Sequence, residues 1–163
     1  MKKIIFTLIT LSLSASALAT THYSATTECQ FDYDDVNFCS KANIAKYQKA
    51  LKTQKPNFNK KYIILDIHPS RSSFRFVAVD TKSGLVLPLR DEILGFKDNK
   101  GELIGKPPII KYSLNDDSLC IFGSVHAYRD AYDNVRVCYS IQNDEYSKYG
   151  KEFSRIDVPD YLD

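Results

Sequence analysis

The residues of this chain whose types could do chemistry are three histidines, four cysteines and several grouped carboxylates. Ser124, His126 and Asp130 supply the side chains of a hydrolytic triad, in which a hydroxyl attacks, an imidazole takes its proton and an acid orients the imidazole. A triad is defined by geometry, and no Gly-x-Ser-x-Gly elbow accompanies these three. The remaining imidazoles are His22, near the start, and His68, which precedes Pro69. Asp32, Asp34 and Asp35 offer a carboxylate cluster. A calcium loop beginning at Asp32 would need Gly at its sixth position and Glu at its twelfth, where this chain has Asn37 and Asn43. Cys29, Cys39, Cys120 and Cys138 lack the close Cys-x-x-Cys spacing of a zinc site. Paired as disulfides they would leave no thiolate nucleophile. The expectation is therefore no catalytic residue, no metal site and no cofactor.

The stretch Val125–Asn134 offers recognition instead. His126, Tyr128, Arg129, Asp130, Tyr132 and Asp133 form the candidate binding set. Tyr and Arg anchor many protein interfaces because they bury large area while still making directional hydrogen bonds. Set against this, Tyr128 and Tyr132 are four apart and could pack back onto a sheet. The segment between Cys29 and Cys39, with Phe31, Tyr33 and Phe38, is a second and weaker candidate.

Positioning these groups requires a folded, exported domain. Lys2 and Lys3, the apolar run Ile4–Leu13 and the small residues of Ala17-Leu18-Ala19 predict a signal peptide over residues 1–19, cut between Ala19 and Thr20. No Cys follows that cut, so an acylated lipoprotein is not expected, and neither is a membrane anchor after cleavage. Lys2 and Lys3 are the segment's only charges, so the remaining 144 residues carry 20 basic and 20 acidic side chains. A nucleic-acid binder needs surplus cations to displace counterions from phosphate, which this balance excludes. A chain of that length buries roughly 70% of its unfolded surface, enough for one domain over residues 20–163. Residues 20–28 read as a flexible arm. Four cysteines allow three pairings, and an exported chain with an even number reads as two disulfides.

The expected fold is α+β. Ser40 is placed to cap a helix from Lys41 to about Thr53, with Ile44, Tyr47 and Leu51 on one stripe and Pro56 beyond its end. An amphipathic helix of about three turns is marginal alone and must lie on an apolar surface. That surface is a twisted antiparallel meander of five or six strands. Its runs are Tyr62–Ile67, Phe74–Val79, Leu85–Leu89, Ile109–Tyr112, Leu119–Val125 and Val135–Ile141, with Asp80–Gly84 as turn chemistry. Pro88 indicates an edge or a bulge. Opposed residues of a hairpin sum to a constant. Setting Cys120 against Cys138 therefore sets Phe122 against Arg136 and Ser124 against Asn134, and centres the tip on Arg129. Cross-linked Cα atoms lie roughly 4.4–6.8 Å apart, as opposed residues do. This favours the local pairing, Cys29–Cys39 and Cys120–Cys138.

Three segments, Asn57-Phe58-Asn59-Lys60-Lys61-Tyr62, Val79–Leu89 and Asn115–Ile121, resemble a group of small exported bacterial proteins whose segments read NFxGxY, IDxxTGxVxxLP and DSRLLxV in that order. The resemblance spans about residues 56–125. It implies export and the meander, and it transfers no catalytic residue. Many members carry a Gly-Cys…Cys element after the first strand, where this chain has His68-Pro69-Ser70-Arg71-Ser72-Ser73.

These features together predict a monomeric, non-enzymatic protein of the periplasm or the exterior, of the inhibitor or immunity type. It would recognise a protein partner through a disulfide-braced hairpin. The alternatives are a small hydrolase of cell-envelope material and an envelope protein that self-associates through a sheet edge.

Overall fold

The structure, a computed structural model, describes residues 21–33, 35–67 and 72–162. The expected signal peptide, Asp34 and the His68–Arg71 part of the break lie outside the described residues. Ser40 opens α1 (Lys41–Thr53), its Oγ accepting the Asn43 N–H at 3.2 Å. The helix stops at Gln54, which is extended and stands two residues before Pro56. Tyr47 and Ala50 form the buried centre of its apolar stripe, with Ile44 and Leu51 half-buried beside them. Burying the Tyr47 ring contributes about 2–3 kcal/mol. Its hydroxyl donates to the Phe38 carbonyl at 3.0 Å, so no polar atom is stranded, and burial pushes the phenol's pKa up.

The strands, in chain order, are β1 (Ala25–Thr26), β2 (Tyr62–Asp66), β3 (Ser73–Phe74), β4 (Phe76–Asp80), β5 (Leu85–Pro88), β6 (Glu92–Leu94), β7 (Ile109–Lys111), β8 (Ser118–Ala127), β9 (Asp130–Asn143), β10 (Lys151–Arg155) and β11 (Asp160–Tyr161). The class is α+β as the sequence predicts. The strands fill two sheets, however, in place of one sheet of five or six. The first runs β1-β5-β4-β2; the second runs β10-β9-β8-β6-β3, with β7 on β8 and β11 on β9.

The first sheet is buried on both faces. Ile63, Val77, Val79 and Val86 meet α1 and the Cys29–Cys39 loop. Ile64, Phe76, Ala78 and Leu87 meet Leu119, Ile121, Val137 and Tyr139 of the second sheet. Two-sided burial is why β4 is apolar at every position but its last, without polar alternation. The outer edge of β2 is closed by Asn57, whose Oδ1 accepts the Ile64 N–H at 2.8 Å and whose Nδ2 donates to the Ile64 carbonyl. Lys60 adopts φ +53° in the tight turn before β2, at the position where the NFxGxY pattern has Gly.

The expected continuous strand Phe74–Val79 is divided at Arg75. Ser73 and Phe74 pair with β6 in the second sheet, whereas Phe76–Asp80 pair with β2 in the first. The chain crosses between sheets a second time at Leu89-Arg90-Asp91, from β5 to β6. These two crossings form one corner of the molecule.

The described part of residues 20–28 contains a short strand. Ala25 and Thr26 pair in parallel with Leu85 and Val86, and the N–H groups of Ser24 and Thr27 donate to the Gly84 and Val86 carbonyls, both at 2.9 Å. Gly84 permits this contact: it has φ +71°, and a Cβ there would stand 1.8 Å from the His22 carbonyl oxygen. Pro88 lies just past the end of β1, where its missing N–H removes no ladder bond.

Candidate functional site

The site begins at the hairpin β8–β9. Cys120 pairs with Cys138 and Phe122 with Arg136, and both expected disulfides are present. Beyond Gly123 the register slips by one, so Val125 faces Tyr132 and the expected Ser124–Asn134 pairing is corrected. The cause is tertiary. Gly123 lies so close to β6 that a Cβ would stand 2.7 Å from the Leu94 carbonyl oxygen. Asn134 bulges at φ +51°, with Oδ1 accepting the Lys97 N–H and Nδ2 donating to the Lys97 carbonyl, both at 2.9 Å.

The region read as a loop, Val125–Asn134, is mostly strand, turning only at Tyr128-Arg129. Strand geometry sorts the six candidates. Tyr132 is half-buried under the Arg155 guanidinium, 5.2 Å from the ring centroid, and packs against the core. Asp133 is paired with Lys97 at 2.6 Å. His126 Nδ1 lies 3.4 Å from Glu92. Tyr128, Arg129 and Asp130 remain exposed at the tip, and Arg129 covers the Tyr128 ring at 4.7 Å. The same geometry gives the imagined triad other partners: Ser124 is fully buried and its Oγ accepts the Asn134 N–H at 3.2 Å.

The second candidate lies beside the first. In the Cys29–Cys39 loop Phe31 and Phe38 turn inward and pack edge to face, 5.6 Å between centroids, while Tyr33 turns outward. The Tyr33 and Tyr128 rings meet at 5.2 Å. The Tyr33 hydroxyl donates to the Arg90 carbonyl at 3.3 Å, and burial together with the nearby Asp91 carboxylate pushes its pKa up.

Behind this pair is the corner, whose role sequence reading missed. Arg75, 1% exposed, donates Nη1 to the Arg90 carbonyl at 3.3 Å and lies against the Phe38 ring. Asp91 is buried; its Oδ2 accepts the Tyr139 hydroxyl at 2.8 Å and lies 3.5 Å from Arg155. Burial pushes the Asp91 carboxyl above its ordinary range, against the opposing pull of the Tyr139 hydrogen bond and three guanidinium groups. The only sequence signal was a charged Arg-Asp pair directly after an apolar strand.

Three clefts adjoin the corner. One of about 330 Å³ lies between the two loops, lined by Glu28, Asp32, Tyr33 and Tyr128. A second, of about 300 Å³, runs between Thr27 and Pro88 on one side and Lys151 to Phe153 of β10 on the other. A third, of about 260 Å³, lies over Asp91, Tyr139 and Arg155. Arg90 lines all three.

Among the described residues no group of three or more His, Cys, Asp or Glu is arranged to hold a metal ion, and no helix is long and apolar enough to cross a membrane. The two disulfides are compatible with an oxidising, extracytosolic compartment. Comparison with protein-family models, with curated proteins and with solved structures found no match.

Proposed function

We propose that this chain is an exported, non-enzymatic binding protein of the inhibitor or immunity type, acting in the periplasm or outside the cell after removal of residues 1–19. Its recognition surface is the pair of disulfide-braced loops, with Tyr33, Tyr128 and Arg129 as its exposed anchors and a protein as its partner. The observation that carries this reading is the Tyr33–Tyr128 contact at 5.2 Å, which joins two separately cross-linked loops into one aromatic surface. Aromatic anchors held in advance lose little conformational freedom on binding, so more of their burial appears as affinity. The balance of acids and bases in the chain favours a mixed, protein-like partner over a polyanion. The hydrolase alternative draws less support, because Ser124 is buried and His126 is engaged by Glu92.

The experiment is site-specific photo-cross-linking in the exporting cell. A benzophenone side chain at position 128 should yield one discrete protein adduct, and one at Lys49, on the exposed face of α1, should not. The absence of an adduct at 128, or equal labelling from both positions, would overturn the reading.

A further inference from the structure

We infer that Arg90 is a preformed anchor for a single carboxylate of the partner, set where the three clefts meet. The inference rests on the binding reading above and names the chemistry that the surface takes.

Arg90 is exposed, yet it is fixed at its root. Its carbonyl accepts hydrogen bonds from buried Arg75 and from Tyr33, both at 3.3 Å, which pins the main chain of the corner from two sides. Its guanidinium lies over the Phe31 ring, 5.8 Å from the centroid, and Phe31 is itself buried in the cross-linked loop. A guanidinium stacked on a ring uses its face for that contact and leaves its N–H edge free to meet a planar carboxylate with two parallel hydrogen bonds.

The other cations that line these clefts have contacts of their own. Arg155 pairs with Asp91, Lys151 Nζ donates to the Tyr62 hydroxyl at 3.3 Å, and Lys148 lies over the Tyr149 ring. Arg90 makes no ion pair among the described residues, although Glu28, Asp32 and Glu152 line the same clefts. Arg129 is also stacked and exposed, but it sits at a hairpin tip at φ +66° with no comparable clamp. The acids around Arg90 set the kind of anion it can take. They would repel a nucleic acid or another polyanion, and they leave room for one Asp, Glu or chain-terminal carboxylate with an apolar or basic group beside it. The Tyr33–Tyr128 pair, in the adjoining cleft, would receive an apolar neighbour of that acid.

The probe is a displayed library of random peptides, panned against the processed chain with its disulfides intact. Enriched peptides should share an acidic residue beside an aromatic or aliphatic one. For a synthesised member, Arg90→Gln should weaken binding about 10- to 100-fold, the range for losing charge-assisted hydrogen bonds. Arg90→Lys, which keeps the charge and loses the fork, should weaken it about tenfold. Replacing the peptide's acid by its amide should match the Gln variant, and the two changes together should cost no more than either alone. Lys49→Gln should leave binding unchanged, and the urea midpoint of Arg90→Gln should show that the fold is intact. Peptides without an acid, lost on Tyr33→Ala or Tyr128→Ala but not on Arg90→Gln, would overturn the anchor and leave the aromatic surface standing. Peptides indifferent to all three positions, or no enrichment at all, would overturn both. Tighter capture of a single-stranded oligonucleotide than of any peptide would overturn the carboxylate chemistry.

Discussion

Asp80 holds the turn between β4 and β5 with one carboxylate that serves two sets of donors. Its Oδ1 accepts the N–H groups of Lys82 and Ser83 at 2.9 and 3.2 Å, and its Oδ2 lies 2.7 Å from Lys61 Nζ. The carboxylate is 5% exposed and Lys61 about a third exposed. Burial alone would raise the Asp80 pKa; the hydrogen bond from Lys61 and the two backbone bonds outweigh it and hold the carboxyl below its ordinary range. The same hydrogen bond holds Lys61 above its own ordinary value. The signs follow from linkage. The Asp80 contribution is present above the unfolded carboxylate range, about pH 4, and is lost as pH falls through the folded value. The Lys61 contribution is present below the unfolded lysine value and is lost as pH rises through the folded one.

Asp80→Asn keeps the shape but can satisfy only one donor set, because either orientation of the amide turns an N–H₂ toward a donor. The expected loss at pH 7 is about 2–3 kcal/mol, and about 3–4 kcal/mol for Asp80→Ala. Lys61→Met leaves one oxygen of a buried carboxylate without its ammonium while both backbone donors stay, and should cost about 1–2 kcal/mol, less than Asp80→Asn. Urea unfolding followed by circular dichroism, with the disulfides intact, measures each value. The gap between wild type and Asp80→Asn should close as the pH is lowered and Asp80 becomes a neutral acid. An Asn variant within about 0.5 kcal/mol of wild type at pH 7 would refute the reasoning, as would a gap that does not change with pH.

Gly84→Ala should cost about 2 kcal/mol or more and release the segment before Cys29 to proteolysis, because left-handed backbone and the His22 carbonyl both exclude a Cβ; limited digestion with mass analysis reads this directly. Tyr139→Phe removes the hydroxyl that lowers the Asp91 pKa. It should therefore cost about 1–2 kcal/mol at neutral pH and less in acid, measured by the same urea series. Replacing Cys120 and Cys138 together by Ser should cost about 3 kcal/mol on the chain-entropy account. The chain contains no Trp, so a Tyr128→Trp reporter in that background should show greater acrylamide quenching as the tip loses its place beside Tyr33.

What could be read from the sequence was local. The α1 signals, Ser40, the stripe through Tyr47 and Pro56, all lie within one short segment, and the structure reproduces the bounds. Setting Cys120 against Cys138 gave a consistent hairpin with its tip at Arg129, and the structure has both that pairing and the bridge. The slip beyond Gly123 did not, because its cause is the Leu94 carbonyl on another strand. Arg75 sits inside an apolar run that reads as one strand, and only pairing to two different sheets divides it. The strands β10 and β11 are short, charged edges with little apolar pattern to detect. Tyr128 and Tyr132 looked equivalent by spacing, yet only the register decides that one faces solvent and the other Arg155.

Neither disulfide joins the two recognition loops to each other, so something else must align them. That part falls to three consecutive residues of the corner. The Arg90 carbonyl accepts the Tyr33 hydroxyl and so holds the first loop. Asp91 fixes the corner to the floor of the second sheet through Tyr139. Glu92 pairs with His126 along the backbone and through its side chain, and so holds the end of β8 that carries Tyr128. Two residues of the crossing and the first residue of β6 thus set the distance between two rings that are remote in sequence. The disulfides limit how far each loop can wander, and the corner decides where each one points. Damage to either disulfide should therefore loosen one loop, whereas damage to the corner should separate the pair even with both cross-links intact.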